Sequence, residues 1–123
     1  MLVYLIEPQA LFSSHLERVL VAAGLPAATV RREVDAAELI VLAPDVVFVD
    51  LDFFAEGGPT ALCRIRDAVR GATIVGYAHS LDPLFAASCF IAGASALIEK
   101  SADERRTVDE IKGVFREILT AAS

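Results

Sequence analysis

The sequence predicts an α/β fold of the doubly wound type, in which helices cover both faces of a five-stranded parallel sheet. Short, nearly unbroken apolar runs alternate five times with segments whose apolar residues recur at helical spacing. Unbroken apolar runs are typical of strands buried on both faces, as parallel sheets require. The length of 123 residues and the hydrophobic content of 55% suit one domain over 1–123.

The first half of the chain contains three predicted strands and two predicted helices. Met1–Ile6 is an apolar run that predicts a buried strand, and helical spacing over 11–23 follows it, until a glycine and a proline stop the helix. Ala28–Arg32 is β-branched but weakly apolar, which favours an edge strand. A short helix covers Asp35–Ala43. Val46–Val49 is the most strand-like run and marks the expected centre of the sheet.

The second half continues the alternation. Pro59 suits the first turn of a third helix, and Thr73–Tyr77 is the fourth predicted strand. An Asp-Pro pair caps a fourth helix over 82–92, which ends at a glycine, and Ala94–Ile98 is the fifth strand. Ser101–Glu104 has the spacing of a capping box for the last helix. The apolar stripe of that helix is Val108, Ile111, Val114, Phe115, Ile118 and Leu119.

The fourth helix is apolar almost all round. We expect Leu84, Ala87 and Ile91 to face the sheet. The residues left on other faces are Phe85, Cys89 or Phe90. An apolar surface of this kind needs a partner molecule, unless the first or last helix covers these aromatics within one monomer.

Composition excludes several classes of function. A net charge of −6 and scattered basic residues, adjacent only at Arg31-Arg32 and Arg105-Arg106, disfavour binding to nucleic acid. The longest apolar runs are far shorter than the roughly 20 residues that span a bilayer, so no membrane segment is predicted. The absence of a basic leader in 1–6 favours a cytoplasmic location. Cys63 and Cys89 are predicted to be buried or half-buried thiols.

Polar residues follow four of the predicted strands. In doubly wound sheets, ligands bind beyond the carboxyl ends of the strands, near the point where the strand order reverses. Those ends carry Glu7, Asp50, the segment Tyr77–Ser80, and Lys100. The fold therefore predicts that carboxylates, hydroxyl and imidazole groups, and a lysine converge on one site.

Three blocks of sequence resemble those of response-regulator receiver domains. They are LIEPQALF at 5–12, PDVVFVDLD at 44–52 and AGASALIEKS at 92–101, and the likeness spans nearly the whole chain. The resemblance implies a flavodoxin-like three-layer sandwich with strand order 2-1-3-4-5. It also implies a two-component (phosphorelay) signalling role without enzymatic turnover.

Specific roles follow from the matched positions. Asp50 matches the aspartate that accepts a phosphoryl group from a sensor histidine kinase or phosphotransfer protein, and Lys100 matches the lysine that binds a phosphoryl oxygen. An Mg²⁺ site would draw on Asp50, Glu7 and the backbone carbonyl of Asp52. Partners would bind through helix 4, strand 5 and helix 5, the surface through which we expect a homodimer.

Several positions depart from the family pattern. Receivers present two adjacent acids after the first strand, whereas this chain has Glu7 and Pro8, which predicts weak metal affinity. Tyr77 stands at the position of the family's small hydroxyl, unless a shift of register brings Ser80 inward. Leu97 stands at the position of the aromatic that changes rotamer on activation, so the aromatic form of that switch is impossible.

Two further features lie near the predicted site. Phe53-Phe54 replaces the Met-Pro pair that usually follows the phosphoacceptor loop, and His79 is expected to face solvent rather than to act in the site. The departures support an alternative in which the chain is a pseudo-receiver, a phosphorylation-independent interaction or dimerisation module. A small-ligand binder is the third class considered, but no glycine-rich phosphate loop follows the first strand. The chain is either a stand-alone receiver or the front of a longer regulator.

Overall fold

The computed structural model describes the backbone of residues 1–122 and the side chains of residues 1–116. Within that range, five strands and five helices alternate. The strands are β1 (Val3–Ile6), β2 (Thr29–Arg31), β3 (Val46–Asp50), β4 (Thr73–Ala78) and β5 (Ala96–Glu99). The helices are α1 (Ala10–Ala22), α2 (Ala36–Leu42), α3 (Gly58–Ala68), α4 (Pro83–Ala92) and α5 (Glu104–Ala122). Ile118 and Leu119, the last two residues of the predicted α5 stripe, lie outside the described side chains.

All strand pairings are parallel, in the order β2-β1-β3-β4-β5, which confirms the predicted doubly wound sheet. The register places Ile6 beside Val49 and Asp50 beside Tyr77. Glu7, which follows Ile6, therefore lies next to Asp50 at the carboxyl edge of the sheet. Parallel register alone thus assembles the ends of β1, β3 and β4 into one place.

The core consists of two apolar layers, one on each face of the sheet. Val47 and Val49 point toward the layer that contains α3 residues, whereas Val46 and Phe48 point toward the layer that contains α1 and α5 residues. Because side chains alternate along a strand, Asp50 continues the second set. Its carboxylate consequently emerges on the α1 and α5 side of the sheet.

Carboxylate caps begin three of the helices. Asp35 and Asp82 accept backbone N–H groups at the starts of α2 and α4, as predicted for α4. At α5 the predicted cap was wrong: Asp103 accepts the N–H groups of Arg105 and Arg106. Ser101 instead accepts the N–H of Asp103. A carboxylate is the stronger acceptor, so Asp103 outcompetes the hydroxyl for the orphan donors of the first turn.

The orientation predicted for α4 was also wrong. Leu84 and Ile91 are 82% and 81% exposed, and Ala87 is exposed too. Cys89 is buried and Phe85 packs against the core layer shared with α3. Phe85, Cys89 and Ala92 form an equally apolar stripe, so periodicity cannot select a face of a helix that is apolar all round. Among the side chains of residues 1–116, none from α1 or α5 covers this outer face.

The fifth strand begins two residues later than predicted, at Ala96. The reason lies at the end of α4, where Gly93 has a φ of 122°. Residues with a side chain rarely adopt this backbone angle. Ala94 then donates its N–H to the Cys89 carbonyl and closes the helix. Ala94 therefore belongs to the end of α4 rather than to β5.

A buried tyrosine joins β1 to α2 at some distance from the strand ends. Tyr4 is fully buried and its hydroxyl donates a hydrogen bond to the Glu38 carboxylate, which also accepts Arg31 Nε at 2.8 Å. Burial and the Glu38 carboxylate raise the pKa of Tyr4. This network satisfies a phenol that the apolar core could not solvate.

Candidate functional site

Asp50 and Lys100 meet at the carboxyl edge of the sheet. Asp50 ends β3 with its side chain 1% exposed, and Lys100 follows β5, where its N–H donates to the Ala78 carbonyl. Lys100 Nζ lies 2.9 Å from Asp50 Oδ2, an ion pair that lacks the geometry of a normal hydrogen bond. Strand pairing thus brings together the two residues that the sequence placed in the site.

A second carboxylate holds the same ammonium. Lys100 Nζ lies 2.6 Å from Asp52 Oδ2, closer than to Asp50. The backbone N–H of Asp52 also donates to Asp50 Oδ1 at 3.0 Å. Burial would lower the pKa of Lys100, but its close ion pairs with Asp52 and Asp50 outweigh burial and raise it. Lys100 is therefore a fixed cation between two anions.

Aromatic rings enclose the lysine on its other sides. Lys100 Nζ lies 4.7 Å from the centroid of Phe53 and 5.4 Å from that of Tyr77, within cation–π range. Phe53 in turn stacks on Phe12 of α1, with centroids 6.4 Å apart. The side chain of Lys100 is only 21% exposed. The rings of Phe53 and Tyr77 consequently cover part of the lysine ammonium.

Glu7 occupies the opposite side of Asp50. It is fully buried, its Oε1 accepts the N–H of Gln9 at 3.2 Å, and its Oε2 has no hydrogen-bond partner. Burial, followed by the adjacent Asp50 carboxylate, raises the pKa of Glu7 to about 8. A proton on Glu7 satisfies the otherwise orphaned oxygen, so this carboxyl is largely neutral at pH 7.

The acidic residues suit a divalent cation only in part. Across residues 1–116, no three His, Cys, Asp or Glu side chains cluster as a metal site would require. Glu7 and Asp50 provide two adjacent carboxylates, each with one oxygen that lacks a hydrogen-bond partner. The Asp52 carboxylate is instead occupied by Lys100 and by the N–H of His79. A cation here would need a backbone carbonyl and several waters to complete its coordination.

Tyr77 lies beside Asp50, and Ser80 does not. Tyr77 is buried and packs on Phe48 with ring centroids 5.7 Å apart, while Ser80 and His79 are exposed. Burial raises the pKa of Tyr77. A crevice of about 200 Å³ is lined by Asp50, Tyr77 and Lys100 together with Phe12, His15, Leu16 and Ser101. The phenol ring thus fills the space beside the carboxylate that a small hydroxyl would leave open.

Leu97 packs inward over a glycine. A Cβ added to Gly76 would lie 2.7 Å from Leu51 Cδ1 and 2.8 Å from Leu97 Cδ2. Because Gly76 lacks that atom, the two leucines occupy its space on either side of β4. Leu51 directly follows Asp50, so the two leucines place apolar packing from the end of β3 and from β5 at the same point of β4.

No protein-family model and no curated protein matches the chain. Solved structures do match it over nearly its whole length. A LuxR-family two-component response regulator from an Aurantimonas species is 28% identical with a TM-score of 0.70, covering 94% of this chain and 84% of its own. The fold is that of response-regulator receiver domains. The predicted resemblance in fold is therefore confirmed.

Other neighbours of the receiver fold are less similar in sequence. The Mn²⁺-bound form of the response regulator Rcp1 is 15% identical with a TM-score of 0.70, over 92% of this chain and 90% of its own. A putative pilus assembly-related protein from Burkholderia pseudomallei is 16% identical with a TM-score of 0.73, over 93% and 88%. At such identities the likeness concerns the fold.

Sequence reasoning missed two parts of the receiver site. It assigned Asp52 only a backbone carbonyl, whereas the Asp52 carboxylate is the closest partner of Lys100. It also did not pair Phe12 with Phe53. The spacing of Asp50 and Asp52 could have suggested the first, since residues two apart point to the same side of an extended chain. The second depends on loop geometry.

Proposed function

We propose that this chain is a signalling receiver that accepts a phosphoryl group on Asp50 from a sensor histidine kinase or phosphotransfer protein. The observation that carries the proposal is the Asp50 carboxylate at the end of the central strand with Lys100 Nζ 2.9 Å away. A carboxylate at this position is a competent nucleophile when neighbouring cations neutralise the charge on the incoming group. The LuxR-family neighbour supports this role.

The transfer requires few groups. A carboxylate oxygen of Asp50 attacks phosphorus in line, the new O–P bond forms, and the P–N bond of the donor phosphohistidine breaks with its electron pair left on the imidazole. Lys100 offers its ammonium to a phosphoryl oxygen as negative charge is redistributed. Asp50 is 1% exposed and lines the crevice that Phe12 and Tyr77 also line, so side chains around that crevice must move for the donor to reach it.

A divalent cation belongs to this proposal, held by Glu7, Asp50 and the backbone carbonyl of Asp52. Mg²⁺ bound there would neutralise charge on the phosphoryl group. Its binding would be weak, because only two carboxylates face the position and Glu7 holds a proton at pH 7. The response regulator Rcp1, a neighbour in fold, has been solved in a Mn²⁺-bound form, which supports a divalent cation as part of the proposal.

Intact-mass measurement after incubation with acetyl phosphate and Mg²⁺ tests the phosphoryl transfer. The wild-type chain should gain the mass of one phosphoryl group. Asp50→Asn, which keeps the side chain's shape, should gain none. An unmodified wild-type chain under conditions that phosphorylate a control receiver would refute the assignment.

The output belongs to the same proposal, as a homodimer through α4, β5 and α5. Its support is the outer face of α4, where Leu84, Phe90 and Ile91 are exposed. Sedimentation equilibrium should show a dimer in the wild-type chain and a monomer in Leu84→Ser/Ile91→Ser. Ile40→Ser, at an exposed residue of α2, is the matched control and should leave the dimer intact.

The location proposed for the chain is the cytoplasm. In the part of the chain that the structure describes, no helix is both long and apolar enough to cross a membrane. Fractionation of cells that produce the full protein tests the location, and recovery with the membrane pellet after a salt wash would contradict it.

One observation favours the alternative of a phosphorylation-independent pseudo-receiver. The Asp50 side chain is only 1% exposed, and the adjacent Glu7 carboxyl is buried with its pKa raised to about 8. Amide NMR during a Mg²⁺ titration separates the two functions. Saturable shifts around Glu7 and Asp50 support the phosphoryl acceptor, and their absence supports the interaction module.

A further inference from the structure

We propose that the Asp52 carboxylate couples Lys100 to the loop between β4 and α4, and so transmits the state of the site toward α4. Asp52 is a positioning residue in this proposal, which rests on the proposed function where it concerns a phosphoryl group. Its two contacts are the basis: Oδ2 lies 2.6 Å from Lys100 Nζ, and the same carboxylate accepts the N–H of His79 at 2.9 Å.

The contact with His79 crosses between two loops. His79 directly follows β4 and stands three residues before Asp82, which caps α4 through the N–H groups of Leu84 and Phe85. Both Asp52 oxygens lie within 3.2 Å of the His79 nitrogen. Charged acceptors form hydrogen bonds about twice as strong as neutral ones. The position of the Asp52 carboxylate therefore constrains the path of the chain into α4.

Neither residue expected to provide a hydroxyl at this point makes that connection. Tyr77 presents its ring to Lys100 and packs on Phe48, and Ser80 is exposed. Leu97 packs inward over Gly76. Lys100 is joined to the end of β4 by its backbone N–H, but the link from its ammonium to the loop after β4 passes through the Asp52 carboxylate.

A phosphoryl group on Asp50 would compete with Asp52 for Lys100. The single ammonium now lies between two carboxylates, and a more highly charged anion on Asp50 draws it away from Asp52. Asp52 then loses the cation that fixes its orientation, and its bond to His79 weakens. Release of the loop after β4 is the expected consequence.

Amide hydrogen exchange at His79, followed by NMR on the full chain, tests the link without any phosphorylation. Lys100→Gln should speed exchange at His79 by about tenfold relative to Val75 in the middle of β4, since one charge-assisted contact that orients the acceptor is lost. Dividing the exchange rate of His79 by that of Val75 corrects for a lower global stability of the variant. Lys100→Met, which keeps the aliphatic stem against Phe53, is the second variant should Lys100→Gln not fold.

Two controls sharpen the test. Arg64→Gln removes a different ion pair from the loop after β3, that of Arg64 with Glu56, and should leave the His79 ratio unchanged. In an Asp52→Ala background the link is already absent, so Lys100→Gln should add nothing. An unchanged ratio in Lys100→Gln, or an undiminished effect of Lys100→Gln in the Asp52→Ala background, would overturn the proposal.

A phosphorylation experiment examines the same link in the proposed cycle. Acetyl phosphate should shift the His79 amide in the wild-type chain, and Asp52→Ala should abolish that additional shift in whatever fraction of the variant intact mass shows to be phosphorylated. A shift that persists in Asp52→Ala counts against the link. If no phosphoryl group is added at all, the proposed function fails, and the Lys100→Gln result still decides whether Asp52 couples lysine and loop.

Discussion

The two sides of Asp50 differ in how their charges are satisfied. On one side, Lys100 has two carboxylates and two aromatic rings within reach. On the other, Glu7 is buried with an oxygen that has no partner unless it carries a proton. On the lysine side, the ion pairs already balance the charges. On the glutamate side, the buried oxygen of Glu7 is satisfied only when the carboxyl is protonated.

This difference shows which parts of the site can change cheaply. Removing Lys100 leaves Asp50 buried without its cation, a costly state in a low-dielectric interior. Neutralising Glu7 only makes permanent what protonation already does. Lys100 therefore stabilises the fold as well as serving the proposed chemistry. The protonation of Glu7, in contrast, depends on the pH of the solution.

The largest effect is expected from breaking the lysine side. Lys100→Ala should lower the free energy of unfolding by about 3–5 kcal/mol at pH 7, because it leaves the Asp50 carboxylate buried and unpaired. Urea denaturation measures the loss. Arg18→Gln, which breaks the exposed pair of Arg18 with Glu104, should cost less than about 1 kcal/mol. Equal losses in the two variants would mean that burial does not distinguish the pairs.

The glutamate side should control how stability depends on pH. An unfolded Glu7 ionises near its ordinary value of 4.5, whereas the folded one ionises at about 8. Between these values the folded state binds the extra proton, so stability falls as pH rises, by about 1 kcal/mol per pH unit. Glu7→Gln should remove this pH-dependent loss of stability. Its free energy of unfolding should match that of the wild type near pH 5 and exceed it at pH 8.

Urea denaturation from pH 5 to pH 8 checks this prediction. Asp45→Asn is the control, since Asp45 is an exposed carboxylate that accepts the N–H of Leu2 far from the site. It should retain the slope of the wild type. A Glu7→Gln profile parallel to that of the wild type would show that Glu7 does not hold the proton.

A smaller effect is expected from the leucine packing next to the lysine side. Gly76→Ala should destabilise by about 1–3 kcal/mol, because its Cβ would lie within 3 Å of both Leu51 and Leu97. Leu97→Ala in the same chain should recover part of the loss by vacating one side. Thermal unfolding of the single and double variants measures the coupling. Purely additive losses of stability would mean that Leu97 does not occupy the space where a Gly76 Cβ would lie.

The smallest effect should come from the aromatic cover. Phe53→Leu keeps an apolar side chain but removes the ring that lies 4.7 Å from Lys100 Nζ, at a cost of about 0.5–1 kcal/mol. Phe54→Leu, at the neighbouring aromatic, is the matched control for loss of a ring. Urea denaturation of both variants measures whether the cation–π contact adds to the stability of the lysine side.

The resemblance to receiver domains implied the strand order. The meeting of Asp50 with Lys100 was predicted from the alternation of strands and helices, because parallel strand ends converge whatever side chains surround them. Sequence reasoning failed where several solutions are equally apolar. Leu84 and Phe85 are equivalent in periodicity, so contact with α3 selects the buried face of α4. The hydrogen bond from His79 to Asp52 could not be predicted from the sequence either, because 27 residues separate the partners and only the folded loops bring them together.

The buried network at Tyr4 has a consequence for spectroscopy. The chain has no tryptophan and two tyrosines. The Tyr4 hydroxyl donates a hydrogen bond to the Glu38 carboxylate, an arrangement that quenches phenol emission, and Tyr77 lies beside Lys100 in the site. Intrinsic fluorescence should therefore come mainly from Tyr77, which gives the unlabelled protein an optical reporter of events around Asp50.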